Sequence, residues 1–179
     1  VAITGDLRVH PWSFSPKAEA LGVRIAQPGW ASKADPKGSP AGVPMAQVGR
    51  IAVQIKLLPL LKGDVILPLL AVDRPDVRLL REASGRANWT FGDPNAPRKP
   101  LKLPAIQHFI INDGQLRYAD QQRDIFFLGT VSSNEHASSD GRGKFVLEGR
   151  GQLNRSPFTA LVTGGPLLKV NHALQGLLE

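Results

Sequence analysis

The chain contains no cysteine, which excludes a disulfide framework, a thiol nucleophile and any cysteine-based metal site. It is also short of acid, with 15 Asp and Glu against 22 Lys and Arg and a formal net charge of +7. That surplus permits attraction to nucleic acid, phospholipid headgroups or acidic partners. The basic residues are scattered, however, and aromatics make up only 6% of the chain. The stacking platforms that accompany basic grooves in single-strand binders are missing, so no nucleic-acid partner is expected. Long apolar runs are lacking too: the longest, VILPLLAV (65–72), falls far short of the roughly 18 residues that cross a bilayer. The opening VAITGDLRV already reads as a strand and has neither an initiator Met nor a signal peptide. That is the pattern of a piece of something longer.

What is present suffices for a core. The chain has 179 residues and 42% hydrophobic content, enough for one domain of ordinary size or two small ones. Its period is two almost throughout. In GRIAVQIKL, Ile51, Val53, Ile55 and Leu57 alternate with Arg50, Ala52, Gln54 and Lys56, which only an extended strand separates onto two faces. ITGDLRV, LGVRI and FVLEGRGQL repeat the alternation and read as antiparallel sheet with one solvated face. Asp113-Gly114, Asp140-Gly141 and Ser84-Gly85 supply turn signals, and 18 glycines with 15 prolines leave little room for long helices.

Two helical segments are expected: a turn at LLPLLKG (57–63), closed by Gly63, and a C-terminal stretch, GPLLKVNHALQGLLE. Loops are expected at 27–44 and 92–104, the second dividing a single domain of 1–179 into halves near 1–95 and 101–179. A weak repeat relates LAVDRPDVRLLRE (70–82) to FIINDGQLRYADQ (109–121), and TGDLRV (4–9) repeats the second half. Each reads as a strand, a tight turn and a second strand with an apolar-Arg-apolar signature, as in sheets that lengthen unit by unit.

The residues offer no foothold for catalysis, metal or cofactor. His10, His108, His136 and His172 are dispersed without a ligand motif. GRGQLN and GRGK lack phosphate-loop spacing, and the serines around 132–139 lack a nucleophile elbow. Asp73, Asp76, Asp113 and Asp120 read as turn residues. SGRANWTFGD (84–93) contains a glycosylation sequon at Asn88, but it reads as a hairpin: a Ser84-Gly85 turn and a return strand with Trp89 and Phe91 on one face and Asn88 and Thr90 on the other.

Eight or nine half-apolar strands therefore face one or two short helices, and something must cover the apolar side. A second sheet would make a closed sandwich. A single curved sheet would leave a concave face for an apolar ligand.

The ordered segments ITGDLRVHPW, LGVRIAQPGWA and MAQVGRIAVQIKLLPLLKGDVILPLLAVDRPDVRLLREASGRANWTFG resemble the N-terminal region of the AsmA family, and LPAIQHFIINDGQLRYAD followed by LEGRGQLNRSPFTALVTGG resembles its continuation. The resemblance implies a mostly β fold, a curved antiparallel sheet with one or two short helices, without catalytic residues or cofactor. It further implies a periplasmic protein of Gram-negative bacteria, tied to the inner membrane by a segment outside this chain. Its ligand would be phospholipid or another acyl lipid, and protein partners would be periplasmic or in the outer membrane. On this view LLPLLKG corresponds to a short helix near the membrane-proximal end, and Val48 to Leu80 to the start of a groove. The stretch 32–44, with Lys33, Asp35, Pro36 and Lys37, departs from the compact link the family would have. The residues expected to line the groove are Val23, Ile25, Ile51, Val53, Ile55, Val65, Leu67, Leu69, Trp89, Phe91, Phe109, Ile111, Leu116 and Tyr118, with Arg24, Lys56, Lys62 and Arg78 near its edges. The rival reading is a closed sandwich that scaffolds outer-membrane protein assembly by offering a sheet edge.

Overall fold

The computed structural model describes residues 2–10, 14–31, 43–90, 104–136 and 145–164. Alternating sequence becomes strand: β1 (Ala2–Ile3), β2 (Leu7–His10), β3 (Lys17–Ile25), β4 (Ala46–Gln54), β5 (Ile66–Leu67), β6 (Leu69–Arg81), β7 (Ala105–Ile106), β8 (His108–Asp120), β9 (Ile125–His136), β10 (Phe145–Leu153) and β11 (Ser156–Gly164), with one helical turn, α1 (Leu57–Leu60). Nine of the strands form one sheet in the order β1-β3-β4-β6-β8-β9-β10-β11, with β2 also on β3; β5 and β7 form a separate pair. The expected turn at LLPLLKG is α1, closed by Gly63 at φ 87. The C-terminal segment 165–179, the Asp140-Gly141 turn, most of the 92–104 loop and the core of the 27–44 loop lie outside the described residues.

The sheet is mixed rather than wholly antiparallel. β6 and β8 run parallel, and their partners always stand 39 positions apart, from Leu70 with Phe109 to Arg81 with Asp120. That offset is the offset of the sequence repeat, so the two copies lie side by side in register. β5 and β7 extend the match, Ile66 pairing with Ala105.

The polar centre of each copy does not turn the chain, contrary to the reading of Asp113-Gly114 as a turn. Arg74 and Asp113 both adopt φ 50 inside continuous 13-residue strands. An Asp-Gly pair with a left-handed residue serves a bulge as well as a hairpin, and paired neighbours on both sides keep the strand extended here. Gly22 at φ 62 marks the same level in β3, and Thr4–Asp6 breaks the edge strand there, with Thr4 Oγ1 donating to Gly22 O at 2.8 Å. The result is a crease across the sheet. On crossing it the strands change phase together by one residue, so the register among β3, β4, β6 and β8 is unbroken: Val72 pairs with Ile51 and Ile111 before the crease, and Val77 with Ala46 and Leu116 after it. The slip stops at β9, where the register shifts between Ile111 and Gly114. It also explains a proline inside a central strand, because Pro75 sits where the β6–β8 ladder is interrupted.

The end of β6 is held by one side chain. β4 stops with Ala46 opposite Val77, and beyond it Arg78 N donates to Met45 O at 2.8 Å. Asn88 then substitutes for a missing strand. Its Oδ1 accepts from Leu80 N at 3.0 Å, its Nδ2 donates to Arg78 O at 2.8 Å, and its own N donates to Leu80 O at 2.9 Å. The Ser84-Gly85 turn forms as expected, but the return strand reduces to a single bridge between Arg81 and Ala87. The expected outward Asn88 is fully buried, because its amide satisfies the backbone that no strand reaches. Beside it, Trp30 and Ala31 pack on Leu80, Ala119 and Phe126, and the Arg86 guanidinium lies 4.1 Å from the Trp30 ring centre.

Candidate functional site

Residues paired across strands share a face, so register assigns the two sides of the sheet. One side is apolar through its middle and polar at its two ends, where Glu135 with Ser133 and Arg81 with Asp120 share it. Val53, Leu70 and Phe109 form one cross-strand row that ends on the buried Glu135, and Ile51, Val72, Ile111, Ser133 and Phe145 form the next, Ser133 Oγ donating to Glu135 at 2.8 Å. Past the crease come Ala46, Val77 and Leu116, then Leu79, Tyr118, Phe127 and Phe158. Most of these side chains are half-buried rather than buried. Where strands are crowded the surface is levelled by glycine: a Cβ on Gly149 would come within 2.6 Å of the Phe127 ring, and one on Gly151 within 2.7 Å of Phe158. Phe127 and Phe158 stack with ring centres 6.2 Å apart.

Of the residues expected to line a groove, Val23, Ile25, Ile51, Val53, Phe109, Ile111, Leu116 and Tyr118 share this face. Trp89 joins them from the 82–90 segment, its ring 6.1 Å from Tyr118 and 5.4 Å from the Arg81 guanidinium. Ile55 follows β4, half-buried, its N donating to Pro16 O at 3.2 Å. Leu69 pairs with Gln54 and lies on the opposite face, Leu67 is buried in the β5–β7 pair, and Val65 is exposed beside α1. Phe91 lies outside the described residues. Counting by twos from Val65 misplaces Leu67 and Leu69, because Pro68 separates β5 from β6 and the alternation restarts. Leu70 and Val72 are missed for the same reason, while Val77 and Leu79, which the count reaches, are absent from the expected lining. The 39-residue offset applied to Phe109, Ile111, Leu116 and Tyr118 finds them.

One end of the sheet carries a second apolar feature. Leu57, Leu58, Leu60 and Leu61 on and after α1 are exposed, Leu61 by 83%, together with Phe14 at 81%. Phe14 O accepts from Leu57 N at 3.2 Å, which brings the Phe14 backbone beside the start of α1, and Lys56 and Lys62 flank the leucines in sequence.

The match to known proteins spans the creased, parallel-paired part of this sheet: a model of the AsmA family matches residues 1–127. The chain belongs to the AsmA family. It is 24% identical over 155 residues to the AsmA family protein YhjG of Escherichia coli (strain K12), an alignment covering 73% of this chain and 23% of that protein. The chain thus spans under a quarter of that relative's length. No solved structure matches it. The AsmA match ends inside β9, so the crease, the parallel repeats and α1 all belong to the matched part, while β10 and β11 extend the sheet beyond it.

The other face of this AsmA sheet holds the Leu80, Ala119 and Phe126 core and most of the sheet's charges, and the crease divides the charges into two unlike panels. On the side of β2 the charges are interleaved. Lys17 Nζ lies 2.8 Å from Glu19, Arg50 reaches Glu19 at 2.8 Å and Asp73 at 2.9 Å, and Asn112 Nδ2 donates to Asp73 at 2.8 Å. The hydrogen bond from Arg50, then that from Lys17, lowers the Glu19 carboxyl to about 2, and Glu19 in turn raises the Arg50 guanidinium. Asn112 first and Arg50 second hold Asp73 below the usual carboxylate range. Asp73 is thus a ladder residue, not a turn residue.

Past the crease Arg78 pairs with Asp76 at 3.0 Å. Arg78 stands directly opposite Arg117, and Leu128 separates Arg117 from Arg150. These side chains wall a concavity of about 870 Å³. At the end of β8 Asp120 is fully buried. Burial pushes its carboxyl up, but bonds from Tyr118 Oη at 2.9 Å, from Arg123 Nη1 at 3.0 Å and from the backbone of Gln122 and Arg123 outweigh it and hold the group low. Burial, then that bond, raises the Tyr118 phenol. Asp120 is the one expected turn aspartate that caps a turn. Among the described residues no group of three His, Asp or Glu is placed to hold a metal, and no helix is long and apolar enough to cross a membrane.

Proposed function

We propose that this AsmA-family chain is a non-enzymatic lipid-handling part of a periplasmic protein anchored in the inner membrane, which lays phospholipid acyl chains along the apolar face of its sheet and supports the lipid supply of the outer membrane. The observation that carries the reading is the continuity of that face: apolar residues line it from β3 to β8 on both sides of the crease, which preserves them by slipping those strands together, and past the crease they continue to β11, with Glu135 and Ser133 as the polar interruption at β9. An acyl chain of about 15 methylenes laid on such a floor gains on the order of 10 kcal/mol before ordering costs, at roughly 0.8 kcal/mol per methylene. The projecting leucines around α1, with Lys56 and Lys62 beside them, suit a position against a bilayer. Family membership supports a lipid- and envelope-related role.

The test is lipid retained by the protein. Val53→Asp and Leu116→Asp place carboxylates on the apolar face, while Ser132→Asp places one on the opposite face, away from the concavity walled by Arg117. Native mass spectrometry of the folded proteins is expected to show acyl lipid on the wild type and on Ser132→Asp, and its loss from the first two. Equal lipid on all four proteins rejects the assignment.

A further inference from the structure

The apolar-Arg-apolar signature of the repeats has no part in an acyl-binding face, because Arg78 and Arg117 point to the other side. We infer that the concavity over Arg78, Arg117 and Arg150 is a binding site for a phosphate-bearing anion, either a lipid phosphodiester headgroup or a free phosphate, with Arg117 at its centre.

The contrast between the two polar panels carries the argument. Before the crease a guanidinium is placed between carboxylates, Arg50 between Glu19 and Asp73. Past the crease the parallel register instead sets Arg78 against Arg117, an opposition of like charges that costs stability in a sheet. Of the acids nearby, Asp76 is engaged with Arg78 at 3.0 Å, and Glu148 lies one row away on β10. Among the described residues no carboxylate lies within ion-pair distance of Arg117 or Arg150, although Arg117 is half-buried. Placing a half-buried guanidinium beside another without a counter-ion makes sense when a ligand supplies the negative charge. Guanidinium groups present paired donors that match phosphate oxygens, and the opening of about 870 Å³ admits a headgroup. Leu128 and Leu161, 38% and 69% exposed at the same wall, give apolar contact to the glycerol side of a lipid headgroup.

The site lies on the face opposite the proposed acyl floor, so the two readings fail independently. The test uses the whole chain, first with inorganic phosphate followed by calorimetry, then with vesicles of phosphatidylcholine carrying phosphatidylglycerol, against vesicles of phosphatidylcholine alone. Arg117→Gln is expected to weaken phosphate binding about tenfold or more, and Arg117→Lys to recover only part of it, since an ammonium keeps the charge without the paired donors. Arg8→Gln, on the other polar panel, is expected to bind like the wild type. Phosphatidylglycerol-dependent vesicle binding that Arg117→Gln abolishes assigns the site to a lipid headgroup; phosphate binding without it assigns a soluble phosphate. Circular dichroism checks that Arg117→Gln is folded. Absence of both kinds of binding in the wild type, or equal binding by folded Arg117→Gln, overturns the proposal.

Discussion

Asn112 donates a hydrogen bond to Asp73 at 2.8 Å, and the two residues occupy the same position of the two repeats. The repeats are thus joined by one position, an acid in the first copy and its amide counterpart in the second. An aspartate in both would set two carboxylates side by side. Asp73→Asn is expected to break the ion pair with Arg50 and cost about 1 kcal/mol, held down by solvent screening of a partly exposed pair. A fall of roughly 2–4 °C in melting temperature would register it.

The same ladder sets an acid dependence. Glu19 and Asp73 both titrate lower in the folded chain than unfolded, so they stabilise above the unfolded values, and that contribution is lost as pH falls through the folded ones. For Glu19 the window runs from 4.5 down to about 2. Melting temperature measured across that window is expected to drop less steeply for the Glu19→Gln, Asp73→Asn double variant than for the wild type.

Asn88→Ala removes the group that stands in for a strand beside β6. It leaves Leu80 N and Arg78 O unpaired in a buried place, at about 1–3 kcal/mol for each group. Denaturant unfolding is expected to show a loss of at least about 2 kcal/mol. Asn88→Asp is expected to be no better, because a carboxylate cannot donate to Arg78 O.

Gly149→Ala drives a methyl against the Leu128 carbonyl oxygen of β9 and to within 2.6 Å of the Phe127 ring, so both the strand pairing and the ring must shift. Displacing that ring is expected to cost about 1–3 kcal/mol by chemical denaturation, with a change in near-ultraviolet circular dichroism from the Phe127–Phe158 stack.

Deleting Asp113 removes the slip from β8 alone. Leu116 and Tyr118 would then turn to the polar face and Arg117 to the apolar one, since a shift of one residue inverts a strand. The deletion is expected to abolish cooperative unfolding, whereas Asp113→Gly, which keeps the slip and relieves a left-handed φ of 50, is expected to stay within about 1 kcal/mol of wild type.

Much of this fold is legible in the residues, and the illegible part has a definite cause. Alternation exposes the strands, Gly63 closes α1, and the repeat of 70–82 in 109–121 announces the pairing of β6 with β8. Parallel pairing does not follow from the repeat alone, because local signals carry no strand direction. Nor does the crease: Arg74 and Asp113 take the same backbone angle that a hairpin needs, and only the uninterrupted neighbours β4 and β9 make it a slip. Asn88 escapes for a related reason. Its role depends on where β4 stops, some 40 positions earlier in the chain. Of the candidate face, alternation reads Phe109 with Ile111 and Leu116 with Tyr118 but not the change of phase between them, and on β6 it misses Leu70 and Val72 because Pro68 restarts the count.

Where Phe127 and Phe158 lie flat over the glycines of β10, the apolar floor loses its relief. Branched side chains standing upright, as Val53, Ile51 and Val72 do elsewhere, present an acyl chain with notches that hold it in place. Ring faces over bare backbone present almost none. On the proposed lipid reading, an acyl chain resting there would meet little friction along the strand direction, which favours passage over storage at the end of the sheet where β10 and β11 lie.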